Sequence, residues 1–279
     1  MKKILAVFDG YKLSESTLSY AIEITKQNNS HLTGIFLDAF FYHSYNLSKI
    51  LRTSSNPDMT IQELDKLDEQ QRGKSAFEFE KACQNAGISF SIHRDHSVPL
   101  LELQYESMFA DLIVINEREK FTRLDLHEPT DFIKDLLSSL HCPVIVVPEN
   151  YKKINKIVFL YDGEPSSLYA IKMFSYLFGN WHDVPIEVVT IIEKDIIDPQ
   201  LPGTILMTDF LRLRFSNFSS KLLKGNAEEK IMSHLLASDE NQLVALGAYK
   251  RSGFSRWLRR SMADTLMIGL DLPLFIAHH

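Results

Sequence analysis

Lys3-Ile4-Leu5-Ala6-Val7-Phe8-Asp9-Gly10 opens the chain, and Lys156-Ile157-Val158-Phe159-Leu160-Tyr161-Asp162-Gly163 repeats it 153 residues later. Each copy is a continuous apolar run that ends in Asp-Gly. Such a run reads as a parallel strand covered on both faces, because a half-exposed strand would alternate polar and apolar residues. The repeat continues beyond the strand. Five residues after each Asp stands a serine, Ser14 and Ser167, ahead of an apolar helical pattern. Leu112-Ile113-Val114-Ile115-Asn116 is answered by Leu243-Val244-Ala245-Leu246-Gly247, and Cys142-Pro143-Val144-Ile145-Val146-Val147 by Leu272-Pro273-Leu274-Phe275-Ile276-Ala277. Thr130 lies fourteen residues after Asn116, and Ser261 fourteen after Gly247. The chain is therefore a tandem duplication with its boundary near 149–153, giving domains 1–150 and 151–279.

Working outward, strands are expected near 3–8, 32–37, 88–93, 111–115 and 143–147, with helices near 14–27, 60–86, 98–109 and 130–140. The second half gives strands near 156–161, 186–192, 218–223, 243–246 and 273–277. Strands alternating with amphipathic stretches make an α/β fold, and right-handed crossovers place helices on both faces of each sheet. Ligands of open parallel sheets bind outside the carboxyl ends of the strands, where the strand order reverses. That puts Asp9, Asn116, Asp162 and Gly247 at the functional edge. Ser14, Ser167, Thr130 and Ser261 are expected to cap the helices that start beside them.

The chain has 279 residues, 45% hydrophobic and 24% charged, with a formal net charge of -6. This composition fits packed α/β domains and argues against broad electrostatic binding of nucleic acid. No apolar run approaches the length of a membrane span, and the run after Lys2 and Lys3 is too short for a signal segment. With Cys83 and Cys142 unmatched to any metal spacing, the chain reads as a cytoplasmic protein without disulfides. Charge is unevenly divided. Residues 1–150 carry 15 Lys plus Arg against 22 Asp plus Glu, and residues 151–279 carry 15 against 14.

The duplicated Asp-Gly with its following serine, the Ala110-Asp111-Leu112-Ile113-Val114-Ile115 strand and the stretch from Gly247 to Ser261 resemble the universal stress protein family, in its tandem form. The resemblance covers essentially the whole chain. It implies two tandem open five-stranded parallel sheets flanked by helices, of Rossmann-like type, with the last strands pairing into a pseudo-dimer. It implies a stress-response or signalling module with no settled reaction, and in some members ATP at the strand ends. The nucleotide-binding branch carries Gly-x2-Gly-x9-Gly-Ser/Thr, in which glycines let backbone amides approach phosphate and the Ser/Thr opens a helix. Here Gly247 and Ser261 keep their places, whereas Lys250 and Arg260 replace the second and third glycines. Lys250, Arg251, Arg256, Arg259 and Arg260 place five cations within eleven residues, and charge can substitute for backbone in holding phosphate. The resemblance thus points to an adenine nucleotide or other small anion held by Asp162, Ile191, Leu246, Gly247, Lys250, Arg251, Arg260 and Ser261. In the first half Asn116, Glu119 and Pro129 stand at the glycine positions and only Thr130 fits, so no nucleotide is expected there.

Each of these readings has a plainer alternative. Asp9 and Asp162 either accept hydrogen bonds from an adenine amine or ribose, or fix the Asp-Gly turn. The 250–260 cluster grips a phosphate, docks an acidic protein partner, or is a solvated helix surface. Trp257 stacks on a base or packs against the sheet. Residues 40–59 and 195–210 follow the second strand of each half and form lids, partner surfaces or interdomain packing. His93 and His96 lie three apart on a strand and face opposite sides, which disfavours a metal pair. His141 and Cys142 likewise do not form a nucleophile and base, and there is no Walker loop, nucleophile elbow or zinc motif. No metal and no catalytic mechanism are expected. The competing function is a protein-interaction scaffold that has lost both nucleotide sites, and further homodimerisation is open beside the internal pseudo-dimer.

Overall fold

A computed structural model of the chain describes residues 1–37, 45–95, 98–119, 129–181, 183–192, 204–247 and 261–277. The first half runs β1 (Lys3–Phe8), α1 (Glu15–Asn28), β2 (His31–Leu37), α2 (Leu47–Thr53), α3 (Pro57–Ala86), β3 (Ser89–Asp95), α4 (Pro99–Ser107), β4 (Leu112–Asn116), α5 (Asp131–Ser139) and β5 (Val144–Val147). The second runs β6 (Lys156–Leu160), α6 (Pro165–Leu177), β7 (Ile186–Ile192), α7 (Thr204–Arg212), β8 (Phe218–Lys224), α8 (Ala227–Leu236), β9 (Gln242–Gly247), α9 (Ser261–Gly269) and β10 (Leu274–Ala277). Every strand expected from the sequence is present within a residue or two of its place.

The strands form one ten-stranded sheet in the order β3-β2-β1-β4-β5-β10-β9-β6-β7-β8. Each half is parallel throughout, and the halves join where β10 runs antiparallel to β5, with Phe275 opposite Ile145. The expected pairing of the last strands therefore exists and fuses two five-stranded sheets into one. It also removes two hydrophobic edges that would otherwise seek partners.

Two apolar layers sandwich the sheet. One gathers Phe8, Phe79, Phe159, Phe174 and Phe275 under α1, α3 and α6, and the other gathers Ile113, Leu136, Leu246 and Leu266 under α4, α5, α8 and α9. Phe275 is fully buried and meets Phe174 edge-on at 5.3 Å, so the seam between the halves lies inside the core. The connecting segment is fastened as well: Tyr151 donates to Glu23 at 2.8 Å and packs edge-on against Tyr20 at 4.8 Å.

Each half also holds one Lys-Glu-His cluster, half-buried in the first half and more deeply buried in the second. Lys3 and His93 hold Glu106 at 2.9 and 2.7 Å in the first half. Lys156 and His234 hold Glu187 at 3.2 and 3.0 Å in the second. The lysines are repeat equivalents, but the acid sits on α4 in one half and on β7 in the other. Burial alone would raise the Glu106 and Glu187 carboxyls, yet hydrogen bonds from the adjoining His and Lys outweigh it and hold both below the usual carboxylate value. These contacts account for His93 as a structural residue. His96 lies outside the described residues.

Two helix boundaries differ from the sequence reading. The helix placed at 60–86 begins earlier, at Pro57, where Asn56 accepts from the Met59 amide and proline suits the first turn. The described part of the 40–59 stretch contains α2, capped by Asn46, and the first residues of α3. No helix among the described residues is long and apolar enough to cross a membrane.

Candidate functional site

Strand order reverses between β1 and β4 in the first half and between β6 and β9 in the second, which opens one crevice at the carboxyl edge of each. Asp9 and Asp162 stand at the ends of β1 and β6. Their glycines need the left-handed backbone: Gly10 has φ 81° and Gly163 φ 84°. The aspartates brace these turns. Asp9 Oδ1 accepts from the Tyr11 and Lys12 amides at 3.0 and 2.9 Å, and Asp162 Oδ1 accepts from the Glu164 amide at 3.0 Å. The turn-fixing role is thus observed in both halves.

Beyond the turn the halves diverge. In the first, Ser14 caps α1 as expected, its hydroxyl accepting from the Thr17 amide at 3.2 Å. In the second, Ser167 is not a cap: α6 begins at Pro165 behind Glu164, which contributes no side-chain cap hydrogen bond. Proline at the first helical position is pre-set for the turn and starts the helix one turn sooner. Ser167 is therefore inside the helix, and its hydroxyl donates to Asp162 Oδ1 at 2.6 Å. The additional turn lies against the end of β9. A Cβ on Gly247 would fall 2.4 Å from both the carbonyl carbon and the oxygen of Ser166 and 2.7 Å from the Ser167 nitrogen. Gly247 is required by helix-to-strand packing before any ligand is considered.

Of the other residues assigned to the second crevice, Ile191 and Leu246 are buried strand residues of the α8/α9-facing core. They support the edge from beneath. Ser261 is the first residue of α9, which returns the chain from the end of β9 to β10. Lys250, Arg251 and Arg260 lie outside the described residues, as does Trp257.

At the first crevice Asn116 and Glu119 are both buried. Asn116, where the second half has Gly247, is buried and donates to the Pro148 carbonyl at 3.1 Å, while its Oδ1 accepts from the Arg118 amide at 2.9 Å. An asparagine fits because α1 starts later than α6. Glu119 is 7% exposed, and its carboxyl accepts a hydrogen bond from the Asp9 backbone, so the side chain crosses from the β4 side to the β1 side. Burial and the nearby Asp9 carboxylate push Glu119 well above the usual carboxylate value, with Lys12 acting in the opposite sense. Thr130 caps α5 through the Ile133 amide and donates to the Glu119 carbonyl at 2.7 Å. From outside, α3 clamps the loop: Gln71 and Ser75 donate to the Tyr11 carbonyl at 3.0 and 3.3 Å, Tyr11 donates to Asp68 at 3.1 Å, and Arg72 lies over the Tyr11 ring at 4.5 Å. The sequence marked Glu119 as a negative charge where a glycine was wanted. It did not mark the burial, which goes with Thr130 fixing the residue's carbonyl and with the approach of the carboxyl to the Asp9 turn. Among the described residues no three His, Cys, Asp or Glu side chains gather in a way that would hold a metal.

The architecture, two 3-2-1-4-5 parallel half-sheets joined through their last strands with a crevice at each order reversal, is a tandem Rossmann-like arrangement. Along 98% of its length the chain is 23% identical to a universal stress protein of Synechocystis sp., covering 99% of that protein. The fold of the whole chain matches a universal stress protein from Archaeoglobus fulgidus with a TM-score of 0.68 at 13% identity, covering 96% of that structure. It matches a functionally unknown protein from Pseudomonas aeruginosa with a TM-score of 0.61 at 17% identity, covering 92%. No family profile matches the chain. The resemblance read from the sequence thus extends over both halves.

Proposed function

We propose that the chain is a tandem universal-stress-protein-type module of the cytoplasm, acting in stress response or signalling without catalysis. Its second half holds an adenine nucleotide or a smaller anion, and its first half serves as a structural counterpart. The observation that carries this reading is the asymmetry of the two crevices. Glu119 spans the first, under the α3 clamp on Tyr11. At the second, Gly247 stands where the first half has Asn116, the Ser166 backbone taking the place of a side chain, and among the described residues the helix between β7 and β8 is the 9-residue α7 in place of the 30-residue α3.

In this reading the α6 amino terminus, the Asp162 turn and the start of α9 frame the phosphates, and Lys250, Arg251 and Arg260 supply the charge that the missing glycines would have supplied through backbone amides. A ligand that prefers the native state raises thermal stability by RT ln(1 + [L]/Kd). ATP, ADP, AMP and cyclic AMP are titrated against melting temperature for the wild type and for a Lys250→Glu/Arg260→Glu variant. The reading expects a saturable rise with one nucleotide that the double variant loses. A rise that survives in the double variant removes these cations from the site, and no rise at millimolar nucleotide favours the scaffold. The scaffold reading has one observation on its side: Gly247 is explained by packing alone.

A further inference from the structure

Helix α4 carries an apolar stripe that faces away from the sheet. Leu103 and Ser107 turn inward and are buried, whereas Val98, Leu101, Tyr105 and Met108 follow one another at spacings of three, four and three residues along the outer face. Leu101 is 61% exposed, Tyr105 60% and Phe109 63%. The two aromatic rings meet edge-on at 5.5 Å and extend the stripe sideways. A solvated helix face would carry charge here. The repeat-equivalent helix is more polar there, with one exposed leucine: aligning the caps Val98 and Asn226 sets Leu101 against Glu229, Tyr105 against Ser233 and Met108 against Leu236.

We propose that this face is a homodimer interface, in which α4 of one chain packs against α4 of a second copy about a two-fold axis near Leu101 and Tyr105. The five exposed side chains present about 600 Å² of largely apolar surface, the upper limit for the largest patch on a typical monomer. Complete burial of two such faces gives at most about 1,200 Å², where specific stable interfaces begin. The pairing is self-complementary. Docking the stripe on α8 of another copy would bury Glu229 and Ser233 against apolar side chains, so α4 selects α4 and the assembly closes at two chains without growing into a filament. Glu106, which lies beside the stripe, is already paired with Lys3 and hydrogen-bonded to His93 and adds little repulsion across the axis.

Sedimentation velocity over about 1 to 100 µM protein tests this, a range that brackets micromolar affinity. The wild type is expected to move from 32.1 kDa towards twice that mass as concentration rises. Leu101→Glu/Tyr105→Glu should raise the dissociation constant by about 30-fold or more while leaving the melting temperature of the monomer unchanged, since both side chains are exposed. Leu236→Glu on α8 should leave dimerisation as it is. A single Leu101→Cys, with Cys83 and Cys142 both buried, should give an oxidised covalent dimer. A wild type that stays at 32.1 kDa throughout, a Glu variant that dimerises as the wild type does, or a Cys variant that forms no covalent dimer overturns the proposal.

Discussion

Replacing Gly247 by alanine tests whether that glycine serves packing or a ligand. The added methyl would meet the Ser166 carbonyl carbon and oxygen at 2.4 Å and the Ser167 nitrogen at 2.7 Å, all main-chain atoms. Main chain cannot rotate aside, so the first turn of α6 must shift, and with it Ala170, Ile171 and Phe174, which are fully buried. Overpacking of this kind costs about 1–3 kcal/mol, and contact with backbone places the cost at the upper end. For a chain of this size about 3 kcal/mol lowers the melting temperature by roughly 6 °C or more. Thermal unfolding followed by circular dichroism, without ligand, reads it directly. Gly73→Ala is the control: it sits inside α3, and its Cβ would find only the end of Arg94, 3.9 Å away. That change should stabilise by about 0.5–1 kcal/mol through helix propensity. A Gly247→Ala protein melting within about 1 °C of wild type would refute the packing account. Such a protein with its nucleotide response lost would instead assign the glycine to the ligand.

Three further outcomes follow from the buried groups. Glu119 holds its proton more tightly folded than unfolded, so between its unfolded value, near 4.5, and its higher folded value the native chain carries a proton the unfolded chain has released; stability falls as pH rises through that window. Glu119→Gln keeps the acceptor for the Asp9 amide, and is expected to flatten this slope and raise the melting temperature at pH 7 to 8 by a few degrees. Glu187 is shifted the other way, so its contribution is present above the usual carboxylate value and is lost as pH falls through its lowered folded value; Glu187→Gln should cost about 2 kcal/mol in urea unfolding at pH 7, with Lys156 keeping Glu240 at 3.0 Å. Phe275→Ala removes a fully buried ring opposite Ile145 and should cost about 3–5 kcal/mol. Because that ring lies on the seam, calorimetry should then resolve two transitions, and a single transition at the wild-type temperature would contradict the shared core.

The sheet was legible because its signal is local and doubled. Each strand is an apolar run, the runs recur at matching places, and Ile145 and Phe275 lie in the terminal runs whose pairing the duplication implied. What escaped depends on single residues that override a repeat. Ser14 and Ser167 hold equivalent positions, yet Pro165 starts α6 a turn earlier and converts a cap into an internal hydroxyl bound to Asp162. The packing of Gly247 against the α6 backbone was not readable, because sequence does not show which backbone lies opposite it. Glu119 was readable as a charge out of place, but its burial brings it to the Asp9 turn, which lies far away in sequence. The Lys-Glu-His clusters were invisible for a related reason. Their acids sit on different elements in the two halves, so only the lysines repeat.

Calorimetric titration of ATP into the purified chain tests the central claim most directly, because stoichiometry separates the two crevices. The account predicts one site per chain, abolished by Lys250→Glu/Arg260→Glu and unchanged in Glu119→Gln. Two sites per chain, or a single site lost on changing Glu119 and kept in the double variant, would place the ligand in the first half and contradict it. So would an absence of heat at millimolar nucleotide.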